Sequence, residues 1–146
     1  MIQLSEELLH IALYDAHRLY IACISLALLP VCSRVDATAC HLFGDQLPLF
    51  PLAEEMALSG LVPAGAYRNF EYIRPFVRIM PDVSQAMIDI ASDAQTSGGL
   101  CIALPEEEAD ILLKRLENAG AQGYKIGTVK EGSDKKVELS NMQKHK

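Results

Sequence analysis

The sequence predicts an α/β (α+β) fold in which helices flank a mixed sheet. An apolar run at residues 100–104 precedes a helical pattern, and alternating apolar residues follow from Tyr124 to Val129, which gives the order strand, helix, strand. Two further helical patterns lie at residues 49–59 and 83–91. Half of the 146 residues are hydrophobic, which is enough to bury the core of one domain.

The N-terminal part of the chain predicts a helical extension. Ser5, followed by two glutamates, is typical of a helix start, and the apolar residues Leu4, Leu8, Ile11 and Leu19 then fall on one face. Residues 19–32 are apolar apart from Ser25 and Pro30, but a run of about 14 is too short to span a bilayer as a helix, and the segment before it lacks the basic start of a signal peptide. We therefore expect a helical extension over residues 1–40, a domain over 41–140, a disordered tail over 141–146 and no membrane partner.

The middle of the chain predicts a helix, a turn and a segment unsuited to a central strand. Apolar residues recur at helical spacing over 49–59, and Gly60 is placed to end that helix. A proline and a glycine predict a turn over 62–66. Over 71–80, Pro75 argues against a continuous central strand, because proline cannot donate a hydrogen bond to a neighbouring strand.

Arg68 and Asn69 follow the predicted turn and are candidates for contact with an anion or a partner. A guanidinium group can hold a phosphate or a carboxylate through two parallel hydrogen bonds. The alternative is structural, since Arg68 could equally fix a loop by donating to carbonyl groups.

The candidate functional loop is a polar turn that leads directly into an apolar strand. Its residues are Asp93, Gln95, Thr96, Ser97, Gly98 and Gly99. Two interpretations remain open: a tight turn whose hydroxyls satisfy local backbone groups, or a cleft-facing loop that approaches an anion. The helix over 83–91 points its negative end at the loop, which disfavours an anion there, and Asp93 suits a metal better than a phosphate.

The C-terminal third predicts strands and an acidic helix. Residues 100–104 read as a fully buried strand, and Pro105 suits the first position of a helix whose three following glutamates complement the helix dipole. Gly127 marks close packing within the next strand. Gly132 and the following serine predict a turn into a final strand over 136–139.

Charge and cysteine spacing narrow the choice of partners and compartment. The formal net charge is −6 and the isoelectric point is about 5.1, which argues against nucleic acid, since binding it requires clustered Lys and Arg. The four cysteines show no zinc-binding spacing. Free thiols in a cytoplasmic protein are the simplest expectation, and Cys101 is expected to be structural.

Two ordered blocks carry a family resemblance. QTSGGL is followed by a short apolar strand, an acidic helix that starts at a proline, and a later IG-V strand; upstream lies LPLFPLAEEMALSGLVPAGAYRN. Over about residues 44–140 this arrangement resembles the C-terminal domain of bacterial-type selenophosphate synthases (selenide, water dikinases). The family usually has proline at the position of Ala94, so the approach to the turn should be looser here.

The resemblance implies a fold like the C-terminal domain of aminoimidazole ribonucleotide (AIR) synthase. It also implies the family's reaction, in which ATP, selenide and water give selenophosphate, AMP and phosphate. In the full-length family, ATP and magnesium are bound by an N-terminal domain with a reactive Cys or Sec, a lysine and several aspartates. These motifs do not occur in this sequence, so we expect neither a catalytic residue, nor a metal site, nor a cofactor bound by this chain alone.

Three hypotheses follow from the resemblance. The chain is the C-terminal domain of a selenophosphate synthase that acts with a missing nucleotide-binding domain or a homodimer partner. Alternatively, it is an interaction module that kept the fold without the chemistry. The third hypothesis, a relative in another branch of the AIR synthase superfamily, is disfavoured by the QTSGGL string.

Overall fold

The computed structural model describes residues 9–15, 38–93, 100–131 and 137–142. The strands are β1 (Leu9–Asp15), β2 (Thr38–Phe43), β3 (Val77–Ile79), β4 (Leu100–Pro105), β5 (Gln122–Glu131) and β6 (Val137–Ser140). The helices are α1 (Ala53–Leu58), α2 (Ala64–Ile73), α3 (Gln85–Ser92) and α4 (Glu106–Asn118). The strands form one sheet in the order β3–β6–β2–β5–β1–β4.

The sheet is mixed. β6 runs parallel to β2 and to β3, whereas β5 runs antiparallel to β2 and β1, and β1 runs antiparallel to β4. α4 packs along β4, β1 and β5, while α3 contacts α1 and α2. The predicted α/β class, a mixed sheet flanked by helices, is confirmed, and the topology is consistent with an AIR synthase-like domain.

The hydrophobic core joins the sheet to α3. In β2 and β6 every second side chain points into it, because successive side chains of a strand face opposite sides of the sheet. The buried cluster consists of Cys40, Leu42, Leu47, Met87, Ala91, Ile126, Val137 and Leu139. Ser84 fixes the start of α3, since its hydroxyl accepts a hydrogen bond from the Met87 amide at 3.2 Å. The position of α3 is therefore set by its cap and by the core.

Gly127 brings β5 into close contact with β2. It pairs with Leu42, and a Cβ at this position would overlap the carbonyl oxygen of His41. That oxygen belongs to the backbone of the neighbouring strand, so it cannot move aside without disturbing the pairing. The predicted close packing at Gly127 is confirmed.

The N-terminal segment departs from the predicted helix. Residues 9–15 form β1, which pairs with β4 on one side and with β5 on the other. Pairing on both sides satisfies the backbone groups that a helix would satisfy internally, and such tertiary contacts override local helical spacing. The helical expectation is wrong for this part of the extension, and the rest of residues 1–37 lies outside the described residues.

The connection between α1 and α2 is shorter than predicted. Gly60 has a left-handed backbone, φ +78°, directly after α1, which confirms its role in ending the helix. Pro63 caps the start of α2 with φ −60°, a value suited to leading a chain into a helix. The predicted turn over 62–66 is therefore wrong from Ala64 onward, and Arg68 and Asn69 lie within α2.

The segment with Pro75 does avoid the centre of the sheet, as expected. α2 ends at Ile73, a 3-10 turn over Arg74–Phe76 contains the proline, and β3 begins only at Val77. β3 is short and lies at the edge, where it pairs with β6. An edge position tolerates the neighbouring proline.

One expectation about the C-terminal strands is wrong. β4 lies at an edge of the described sheet and its side chains from 101 to 105 are partly exposed, because an apolar run does not distinguish a central strand from an edge strand. β6 forms the predicted final strand, and it is not a neighbour of β5 in the sheet, since β2 lies between them. Pro105 is the last residue of β4 and the N-cap of α4. It therefore lies one position before the first helical residue, whereas the sequence predicted it at that first position.

The first two residues of the predicted C-terminal tail are hydrogen-bonded to other parts of the chain. The Asn141 amide donates to Oδ2 of Asp82 at 3.0 Å, and its side-chain Nδ2 donates to the Asp82 carbonyl oxygen at 2.6 Å. The Met142 amide donates to Oδ1 of Asp45 at 2.8 Å. Residues 143–146 lie outside the described residues.

Two further sequence expectations concern cysteines and membranes. Cys40 is disulfide-bonded, so the expectation of free thiols throughout is wrong for this residue. Among the described residues, no helix is both long and apolar enough to cross a bilayer.

Candidate functional site

The candidate loop begins where α3 ends. Asp93 follows the last helical residue, and its amide donates to the Ile90 carbonyl oxygen at 3.1 Å. The other loop candidates, Gln95, Thr96, Ser97, Gly98 and Gly99, lie outside the described residues. Both interpretations of the loop, local turn and cleft-facing loop, therefore stay predictions.

The structure brings one of the second pair of candidates, Asn69, to the start of this loop. Nδ2 of Asn69, on α2, donates to the carbonyl oxygen of Ser92 at 2.9 Å, one residue before Asp93. The last carbonyl groups of a helix have no partner inside the helix, so this bond satisfies one of them. Asn69 thus has a structural role, while Arg68 is exposed beside it.

A cavity of about 270 Å³ lies next to Asp93. α1 and residues 61–63 supply apolar walls, α3 supplies Asp89 and Ile90, and Asp93 follows at the end of that helix. The side chains of Phe50, Met56 and Leu61 line the cavity and are also at least half exposed, so the cavity opens onto the surface. The site therefore combines an apolar hollow with two carboxyl groups on one side.

Asp89 is the residue that sequence reasoning missed. It is only 8% exposed, and its Oδ1 accepts a hydrogen bond from Nε2 of Gln85 at 2.8 Å. No Lys or Arg of the described chain forms an ion pair with it. Its position four residues after Gln85 and next to Ile90 was a usable signal, because an acidic residue on the apolar side of a helix is unusual.

The cavity does not fit nucleotide phosphates. The described residues of its lining include no Lys, Arg or His, and its two carboxyl groups would repel a triphosphate. Among the described residues, no three His, Cys, Asp or Glu side chains converge as metal ligands do. These residues fit an apolar group that carries, or lies beside, a positive charge.

A separate polar cluster lies where β2, β6 and β3 meet. Nε2 of His41 is 2.7 Å from Oγ of Ser140 and 3.5 Å from Oε1 of Glu138, whose other oxygen lies 3.8 Å from Nη1 of Arg78. In a Ser–His–acid triad the serine and the acid contact different nitrogens of the ring. Here both lie against Nε2, so the arrangement does not match that of a hydrolase.

Cys101 has the properties of a structural thiol. It is free, and desolvation by burial in the edge strand raises its pKa to about 11. At neutral pH it therefore remains protonated, and the protonated form is a poor nucleophile.

Comparison with known proteins gives a consistent set of relatives. The chain is 34% identical over 97 residues to a selenide, water dikinase of Clostridium botulinum (strain Eklund 17B / Type B), a match that covers 66% of this chain and 28% of the relative. It is 42% identical over 88 residues to the selenide, water dikinase of Caldanaerobacter subterraneus subsp. tengcongensis, covering 60% of this chain and 25% of the relative. The chain is related to the selenide, water dikinases.

The resemblance expected from the two sequence blocks is thereby confirmed. The chain is also similar to selenide, water dikinase 2 of Peptoclostridium acidaminophilum, with 38% identity over 92 residues. That match covers 62% of this chain and 26% of the relative. The chain thus spans about a quarter of the length of the curated relatives that it matches. No protein-family model matches the chain.

Proposed function

We propose that this chain is the C-terminal domain of a selenophosphate synthase and acts together with the nucleotide-binding domain of such an enzyme. The observation that carries the proposal is 34–42% identity to selenide, water dikinases over about 60% of the chain. The match covers about a quarter of the length of those proteins. The other three quarters of the relatives can therefore hold a nucleotide-binding domain.

In the proposed reaction ATP loses two phosphoryl groups. One ends on selenium and the other on water, which leaves selenophosphate, phosphate and AMP. Such transfers depend on cations that neutralise the phosphates, with magnesium supplying this charge when bound. The described cavity offers carboxyl groups instead, so the proposal assigns ATP and magnesium to the partner domain. This chain would border the reaction cleft with the loop from Asp93 to Gly99.

Reconstitution tests this proposal. The full chain is co-expressed with the part of the Caldanaerobacter enzyme that lacks the matched region, and AMP release is measured with ATP and selenide. We expect release that depends on selenide and requires both polypeptides, with each polypeptide alone as the control. Wild-type chain that binds the partner but supports no AMP release would contradict the proposal.

That contrary result would favour the interaction module. Exposed apolar side chains around the cavity support this second function. Such side chains suit a docking surface, and a docking surface does not require catalysis. Binding without turnover, together with no binding of ATP by the mixture, would distinguish the module from the enzyme.

A further inference from the structure

The strand β4 forms an unprotected edge of the described sheet. It pairs with β1 over its six residues, Leu100–Pro105, without a register shift, and no other described strand adjoins it. None of its residues is charged. A regular, neutral edge strand presents backbone amide and carbonyl groups that can hydrogen-bond to a further strand.

The opposite edge, β3, has the features that prevent such pairing. β3 is three residues long, Pro75 lies in the turn before it, and the side chain of Arg78 at its centre is 46% exposed. Short length, proline and exposed charge are common protections of an edge strand. β4 has such a protection only at its last position, Pro105, so β4 is the edge suited to pairing with another strand.

The helix α4 adds a surface beside this edge. It packs along β4, β1 and β5 and therefore lies over β1, the middle strand of the three. Oδ1 of Asp110 is 2.6 Å from Nζ of Lys125 on β5, so this side of α4 faces β5. Glu108, Ile111 and Arg115 recur at helical spacing on the other side of α4, toward β4.

The β4-facing side of α4 is exposed and self-complementary. Ile111 is 51% exposed, with an exposed acid one turn before it and an exposed base one turn after it. Neither Glu108 nor Arg115 forms an ion pair with another described residue. In two antiparallel copies of α4, Glu108 of each copy would meet Arg115 of the other, and the two Ile111 side chains would meet between these pairs.

We propose that two copies of this chain associate about a twofold axis that pairs their β4 strands antiparallel. A twofold axis perpendicular to the sheet also reverses α4, so the two self-complementary sides lie on one face of a continuous sheet. The two α4 axes are then three strand spacings apart, about 14 Å, which a Glu–Arg pair can bridge. This interface does not depend on the proposed enzymatic function.

The mass of the full chain in solution tests the inference. Sedimentation velocity over a series of concentrations should show a reversible equilibrium between monomer and dimer. Ile111→Glu places two like charges at the twofold axis and should weaken dimerisation about 30-fold or more. Arg115→Glu sets acid against acid in both pairs and should weaken dimerisation about tenfold.

Charge exchange separates a specific pair from a general effect of charge. The double variant Glu108→Arg with Arg115→Glu re-forms both pairs with their signs exchanged, so its Kd should return to within about threefold of the wild-type value. Lys114→Glu is the matched control, because it makes the same charge change on the side of α4 that lies with Asp110, and it should leave the Kd unchanged. Urea unfolding of each variant shows that it is folded.

Hydrogen exchange reports on β4 itself. The β4 amides that point away from β1 should exchange at least about tenfold more slowly in the wild-type dimer than in monomeric Ile111→Glu. A wild-type chain that stays monomeric would overturn the inference, as would a dimer that Ile111→Glu and Arg115→Glu leave intact. Unprotected β4 amides in the dimer, or a double variant as weak as Arg115→Glu, would also contradict it. Growth beyond two copies would do the same, because a twofold interface closes at the dimer.

Discussion

Asn69 links two helices through a single side-chain hydrogen bond. Its amide group reaches the Ser92 carbonyl oxygen at the end of α3, where the candidate loop begins. The sequence placed Asn69 and Arg68 together as candidates for anion contact, yet the two residues differ. One is committed to the fold, and the other presents its side chain to solvent.

This difference predicts unequal effects on stability. Asn69→Ala leaves a helix-terminal carbonyl without its partner and should lower the free energy of unfolding by about 1–2 kcal/mol. Arg68→Ala removes an exposed side chain and should change it by less than about 0.5 kcal/mol. Urea unfolding followed by circular dichroism measures both. Equal losses in the two variants would show that Arg68 also holds the structure together.

Single residues were predictable where backbone geometry dictates the residue type. Gly60 adopts positive φ after α1, and Gly127 touches the neighbouring strand, both at positions expected from the pattern. Asp89 was not found, because burial of a carboxyl group depends on how α1 and α3 pack together. Its place on the apolar side of α3 is a local signal, but the packing that buries it brings together residues that are far apart in sequence.

Pairing between β2 and β5 depends on the absence of a side chain at one position. Gly127→Ala would place a methyl group against the His41 carbonyl oxygen and should destabilise the protein by about 3 kcal/mol or more. Gly65→Ala is the control, because a Cβ there meets no atom within 4 Å and α2 should gain about 0.5 kcal/mol. Thermal unfolding of the two variants should shift in opposite directions. A tolerated Gly127→Ala would mean that the two strands lie further apart than described.

At the scale of elements, helices were predicted better than strand positions. The patterns for α1, α3 and α4 gave the right type of element because apolar spacing and terminal residues are local features. Strand order was not accessible. The apolar run of β4 looked central but lies at an edge, and β5 and β6, close in sequence, are separated by β2. β1 was mistaken for helix because its pairing partners lie at the other end of the chain.

On the scale of the whole molecule, the C-terminal residues tie three segments together. Asn141 and Met142 make three hydrogen bonds, to Asp82 and to Asp45. A chain ending at Ser140 should therefore be less stable by about 1–2 kcal/mol than one ending at Met142. The chain ending at Met142 should match the full chain within about 0.5 kcal/mol. Equal stability of all three, measured by urea unfolding, would show that these bonds contribute nothing.

The parallel pairing of β2 with β6 has a kinetic consequence. His41 and Ser140 touch across this pair although 99 residues separate them in the chain. Closing so large a loop costs entropy before any contact repays it, and a high contact order of this kind slows folding. On the ribosome, β2 cannot pair with β6 until residues 137–140 have emerged, so chaperones can engage the core-facing side chains of Cys40 and Leu42 until then.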